Sequence, residues 1–222
     1  PSRAWRRQPR AAIASALASS RCAIRMFAMS IMRPSSCTAP RPSRAACAIA
    51  STMRRAFAKF GRDLADDEAK AVTREFVRYY EAEPMRFTTA FEGVPEVVAR
   101  FDRLGLRQGV CTNKFERPSR MILEHLKLMP PIIDVGGADT FPVRKPDPKH
   151  ILMLLERMGG SAERAVMVGD SIHDLEAAHA AGLPAVLVSW GYTDKPASEL
   201  GAEVVIEQFD ALPRALEEIA GR

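Results

Sequence analysis

The first 62 residues contain no aspartate or glutamate. Ordinary usage makes about an eighth of residues acidic, so roughly seven are expected in such a stretch. The same stretch carries 12 arginines and one lysine, which leaves 19 basic and 27 acidic residues, a net charge of −8, for the remainder. The overall charge of +5 and isoelectric point near 9.3 therefore describe a basic head. They give no reason to expect nucleic-acid binding by the rest of the chain. Cysteine is scarce too: of four, Cys22, Cys37 and Cys47 lie in the head without metal-ligand spacing, and Cys111 stands alone beyond it. Nothing in that supports a disulfide framework, and a reducing cytoplasm is the default expectation. No stretch approaches the ~18 uninterrupted apolar residues of a membrane span. A soluble protein is expected, and no internal repeat is present.

Residues 1–51 are rich in Ala, Arg, Ser and Pro, and the first fifty contain no glycine. Three readings stand beside one another. A targeting peptide is Arg- and Ser-rich and poor in acids. A disordered basic arm could meet an acidic partner, although "IRMFAMSIM" is very apolar for a solvated tail. The third reading is translation in the wrong frame, since GC-rich coding DNA read out of frame yields excess Arg, Ala, Pro, Ser and Cys. The chain begins with Pro, and the third reading fits best.

From Thr52 the text changes character. "MRRAFAKFGRDLADDEAKAVTREFVRYYEAEP" has helical periodicity, with Phe57 and Phe60 on one stripe and Val72, Phe76, Tyr79 and Tyr80 on another. Acids at Asp66, Asp67 and Glu68 suit the first turn of a second helix, where the backbone dipole favours negative charge. A helical pair ending at Pro84 is expected, its aromatic stripes serving packing. Beyond "TTAFEGVPEVV" short apolar runs alternate with amphipathic helices. Strands are expected in "RQGVCT", "PIIDVGGAD", "RAVMVGD", "PAVLVSW" and "AEVVIEQ", separated by helices that Pro95, Pro130, Pro131 and several glycines start or stop. Strict alternation indicates right-handed crossovers and a parallel sheet covered on both faces.

In such sheets ligands bind beyond the carboxyl ends of the strands, and three signals fall there. Thr112 and Asn113 end "RQGVCT" and could hydrogen-bond an anion, although a Thr-Asn turn is also ordinary turn chemistry. Lys145, in "FPVRKPDP", is stiffened by prolines and could neutralise charge on a transferring phosphoryl group, unless it is simply solvated. In "VMVGDSIHD", Asp170 ends a buried strand where a lone carboxylate needs a partner such as Mg²⁺. Asp174 lies one helical turn on, on the same face. The plainer alternative is a helix N-cap by Asp170 or Ser171.

Taken in order, a strand ending in Thr-Asn, a Lys-Pro-Asp-Pro loop and Gly-Asp-Ser-x-x-Asp resemble the haloacid dehalogenase superfamily. Within it, "GVPEVVARF", "VCTNK", "FPVRKPDP", "VMVGDS" and "VSWGY" look like the phosphoglycolate phosphatase branch. The resemblance covers about residues 52–222. It implies an α/β fold with a Rossmann-type parallel core over 89–222 and the remnant of a helical cap over 52–88, preceded by the anomalous segment 1–51. It also implies a small phosphorylated metabolite as substrate and Mg²⁺ as cofactor. Thr112 and Lys145 become the catalytic residues, and Thr112, Asn113 and Lys145 the phosphate-binding ones. Asp170 becomes the metal ligand, with Ser171 in a supporting place and Asp174 supporting the metal or Lys145. The family's nucleophile belongs to Asp-x-Asp-Gly-Thr at the end of the first strand, and that motif does not occur here. The acids of "RDLADDEA" follow no apolar strand and precede no Gly-Thr. The first strand itself is therefore expected to be missing, leaving a gap in the sheet, and the chain as written to be inactive. An enzyme for another small or sugar phosphate, or a non-catalytic remnant, are the competing readings.

The four histidines, His125, His150, His173 and His179, form no ligand pattern and are expected on helix surfaces. Cys111 is expected to be a buried, inert thiol. Trp190 and Tyr192 could pack beside the sheet or near the site.

Overall fold

The computed structural model describes residues 26–29, 53–54, 57–58, 60–82, 85, 88–191, 193 and 195–221. The chain divides into two compact units, one formed by 1–32 with 90–222 and the other by 33–89.

The larger unit is a parallel sheet. Strand β1 (Met26–Met29) is followed in it by α2 (Val94–Arg103), β2 (Arg107–Cys111), α3 (Glu116–His125), β3 (Ile132–Gly136) and α4 (Pro148–Arg157). Then come β4 (Ala165–Gly169), α5 (Ile172–Ala180), β5 (Ala185–Val188), β6 (Val204–Ile206) and α6 (Leu212–Ala220). The spatial order is β3-β2-β1-β4-β5-β6, and every pair is parallel. The five strands expected from the sequence are all present. The expected gap is not. Met26–Met29 fills it, pairing Met26 with Arg107 of β2 on one side and with Ala165 of β4 on the other. The reason is that a central strand needs only backbone hydrogen bonds and apolar character, which "MFAM" possesses without the expected motif.

Alternation along the strands feeds two cores. Val166 and Val168 of β4, with Val186 and Val188 of β5, join Val97 and Phe101 of α2 and Leu216 of α6 on one face. Ala165 and Met167, with Ala185 and Leu187, join Leu154 of α4 and Leu175 of α5 on the other. Because successive side chains point to opposite faces, strands covered on both sides must be apolar throughout. Each large buried side chain is worth ~1.5–3 kcal/mol of transfer free energy. The β3 edge is fastened electrostatically. Asp134 accepts from Arg157 Nε (2.6 Å) and Nη2 (2.8 Å) and from Arg120 Nη2 (2.7 Å). Burial pushes the Asp134 carboxyl up, but these donors outweigh it and hold it below the usual range.

In the smaller unit, α1 (Asp66–Ala82) carries Asp66, Asp67 and Glu68 in its first turn, as the sequence leads one to expect. Arg54 pairs with Asp66, and Arg62 with Glu68. Residues 53–54 and 57–58 are helical. Phe60 departs from the expected packing stripe: it is 90% exposed, whereas Phe57 lies under the Arg62 guanidinium at 5.5 Å. The side chains of Phe76, Tyr79 and Tyr80, and all of Tyr192, lie outside the described residues.

Candidate active site

Strands β2 and β4 flank β1, and between β1 and β4 the chain order reverses its direction across the sheet. Such a reversal opens a crevice at the carboxyl ends of the strands. The segments leaving β2 and β4 there are Thr112-Asn113 and Asp170-Ser171. Lys145 reaches in from the loop before α4.

Lys145 is held from four directions. Its ammonium donates to the Cys111 carbonyl (2.5 Å) and to Asp174 Oδ1 (2.5 Å). Its backbone N–H donates to His150 Nδ1 (3.1 Å), and its carbonyl accepts from Asn113 Nδ2 (3.0 Å). The residue is 6% exposed, so the plain reading of a solvated loop lysine is set aside. Burial alone would lower its pKa; Asp174, aided by Asp170, reverses that and raises it, so the charge is retained.

Asp174, 1% exposed, is the counterpart. Its second oxygen accepts from the amides of Asp170 (3.1 Å) and Ser171 (3.1 Å) and from the Ser171 hydroxyl (2.7 Å). The reach of Asp174 back to Ser171 forms a capping box at the start of α5. The N-cap alternative holds for Ser171, and the carboxylate that completes the cap also pins Lys145. Burial pushes the Asp174 carboxyl up, and Lys145, Ser171 and Asp170 together bring it below the ordinary value. Of the two tasks expected for Asp174, the contacts present serve Lys145.

Two glycines permit this closeness. A Cβ on Gly169 would collide with the Asp174 side chain, and one on Gly191 with the Asp170 carbonyl. The β5 turn thus lies against the Asp170 backbone. Trp190 packs on the core beside Phe91, with ring centroids 5.7 Å apart.

Thr112 donates its amide to the Gly136 carbonyl (2.8 Å), and its hydroxyl oxygen accepts from the Lys114 amide (3.1 Å). Asn113 is exposed and uses one amide hydrogen on Lys145, keeping the second. Asp170 is half-buried at the end of β4. Among the described residues no three His, Cys, Asp or Glu side chains cluster as metal ligands. Asp170 is one carboxylate, Asp174 is committed to Lys145, and Met29 is followed in sequence by Ser30, Ile31 and Met32. A Mg²⁺ site ordinarily draws on one or two carboxylates plus phosphate oxygens and water, and of these residues Asp170 fits the part of such a carboxylate.

The residue that sequence reasoning missed is His150. Far from a helix surface, it is fully buried, sharing an edge-to-face contact with Phe141 at 5.8 Å. Its position three residues after Asp147, the side-chain cap of α4, was the available signal. Cys111 is buried as expected, and burial pushes its thiol up to about 11.

A family model for haloacid dehalogenase-like hydrolases matches residues 16–188. The chain belongs to this family. Among curated relatives, the phosphoglycolate phosphatase of Rhodospirillum rubrum is 41% identical over 162 residues, covering 71% of this chain and 67% of that one. The phosphoglycolate phosphatase of Caulobacter vibrioides is 39% identical over 163 residues, covering 73% and 69%. A crystal structure of a predicted phosphoglycolate phosphatase from Haemophilus somnus superimposes with a TM-score of 0.67 at 21% identity, covering 92% of this chain and 88% of that one. That level of identity shows the fold alone. Among the described residues no helix is long and apolar enough to cross a membrane.

Proposed function

We propose that this chain carries the phosphate-binding half of a Mg²⁺-dependent phosphomonoester hydrolase whose substrate is 2-phosphoglycolate, and that as written it binds the ester without turning it over. The observation that carries the binding is the third ammonium hydrogen of Lys145. An ammonium has three donors; Cys111 and Asp174 take two. The third belongs to a buried, fixed cation at the carboxyl ends of the strands, where a phosphoryl oxygen gains most from it. Thr112 adds its hydroxyl proton and Asn113 its second amide hydrogen. Asp174 keeps Lys145 charged and aimed.

In the intact enzyme an aspartate nucleophile would form the aspartyl-phosphate that water hydrolyses. Bound Mg²⁺ would supply charge neutralisation at the phosphoryl oxygens, with Asp170 as a ligand. Neither the nucleophile nor a second ligating acid exists in residues 1–62. Substrate choice rests on the identity to phosphoglycolate phosphatases. A reducing, cytoplasmic setting is part of this reading, supported by the scarcity of cysteine in the sequence.

The test is a calorimetric titration of the purified chain with 2-phosphoglycolate and with sugar phosphates, alongside phosphate-release assays containing Mg²⁺. Binding that prefers 2-phosphoglycolate, is lost in Lys145→Ala and is accompanied by no release above background is the expected result. Turnover at ordinary enzymatic rates, ~1–10³ s⁻¹, would show that the missing motif is not needed. Equal binding by Lys145→Ala would remove Lys145 from the site.

A further inference from the structure

We infer that His150 is a positioning residue for Lys145, joining the turn that leaves β3 to the lysine that meets the phosphoryl group. The inference rests on the phosphate-binding role proposed above. Three contacts carry it. The Lys145 amide donates to Nδ1 at 3.1 Å, so Nδ1 must hold a lone pair. The ring proton is then on Nε2, which donates to the Gly137 carbonyl at 3.1 Å. The ring edge packs on Phe141, which belongs to the same loop as Gly137.

One neutral imidazole therefore reads two backbones at once. Gly137 itself is packed so tightly on the start of α3 that a Cβ there would collide with the Glu116 backbone. Its carbonyl is a fixed point. Through His150 that fixed point sets where Lys145 begins, while Asn113 sets where its peptide ends. With both ends of the residue located, the side chain starts from a fixed place on its way to Cys111 and Asp174. A buried histidine that only filled space would be replaceable by an apolar ring or branched chain of similar volume. One that positions Lys145 is replaceable only by a group retaining the acceptor at Nδ1.

Those alternatives separate His150→Leu from His150→Asn. The leucine keeps apolar bulk against Phe141 and loses both hydrogen bonds. The asparagine loses bulk and the Gly137 bond, but its amide oxygen falls near the place of Nδ1. Two readouts are taken on the full chain: affinity for inorganic phosphate at fixed ionic strength, and the NMR signal of the Lys145 ammonium in ¹⁵N-lysine-labelled protein, assigned by its loss in Lys145→Ala. Residues that orient the ligands of a metal typically contribute 10- to 100-fold in metal affinity, and the same scale is taken for a residue that orients a phosphate-binding lysine. His150→Leu is expected to weaken phosphate binding by about tenfold or more and to lose the protected ammonium signal. His150→Asn is expected to retain the signal and most of the affinity despite a lower melting temperature. If both variants lose signal and affinity in proportion to their melting temperatures, His150 is only a packing residue. If His150→Leu keeps a protected ammonium signal, the proposal is likewise overturned. If the wild-type chain binds no phosphate, the functional reading fails, and the ammonium signal alone still decides the role of His150.

Discussion

Replacing Asp174 by alanine should be among the costliest single changes in the core unit. The carboxylate accepts from Lys145, from the amides of Asp170 and Ser171 and from the Ser171 hydroxyl. Removing it strands a buried ammonium beside three backbone and hydroxyl donors. Breaking a buried pair from one side costs ~3–5 kcal/mol, because the surviving charge keeps its desolvation penalty without the compensating attraction. Against a total stability of ~5–15 kcal/mol, that is a large share. For a domain of this size it corresponds to a fall in melting temperature of roughly 6–20 °C. Lys145→Met should cost less, since Asp174 keeps its other three donors and the methionine fills the stem's volume. The double variant should cost less than the two singles added together, with a coupling of ~1–3 kcal/mol, since neither charge is left alone. Urea denaturation of the four proteins measures all these terms. Strict additivity, with each single change below ~1 kcal/mol, would show that the pair is solvated and that burial has been given too much weight.

Acid should act on the fold in two stages. His150 is held below its ordinary value, by burial first and by Lys145 nearby, with Asp147 and the Gly137 carbonyl opposing. Its neutral form is thus favoured by folding, and stability should begin to fall as pH drops below ~6.5, by at most ~1.4 kcal/mol per pH unit. The Asp174 carboxyl, also lowered, should add a second loss starting near pH 4. Denaturation curves at stepped pH test this, and an unchanged slope between pH 6.5 and 5 in His150→Asn would assign the first stage elsewhere. Gly169→Ala should destabilise by ~1–3 kcal/mol, because its methyl meets the Asp174 side chain; wild-type melting would contradict that close approach. Cys111, with its thiol pushed up to about 11, should resist alkylation at pH 8 until the protein is unfolded, as peptide mapping would show.

Much of this was legible in the sequence, for identifiable reasons. The parallel sheet could be read because strands covered on both faces are continuous apolar runs, as in Ala165–Gly169 and Ala185–Val188. Thr112, Lys145, Asp170 and Asp174 could be placed at one end of it because parallel strands all finish on the same edge. What could not be read were the partners. Nothing in the spacing of Lys145 and Asp174, 29 residues apart, says that they touch. Nor does the sequence show that Asn113 spends an amide hydrogen on the Lys145 backbone. His150 looked like a surface residue because its helix, α4, carries charge around it; only the close approach of Gly137 and Phe141 buries it. β1 was missed for the opposite reason. It was sought by its chemistry, and the sheet takes it in through main-chain pairing.

That last distinction separates two kinds of selection acting on adjacent residues. The slot between β2 and β4 recognises Met26–Met29 through main-chain pairing, a criterion that many apolar tetrapeptides satisfy. The reaction would interrogate the residues immediately after it for carboxylates, a criterion that Ser30, Ile31 and Met32 fail. Architecture is therefore a forgiving reader and catalysis a strict one, and they consult neighbouring words. The sheet thus stays recognisable whichever residues follow the strand, so resemblance in shape carries no information about that position.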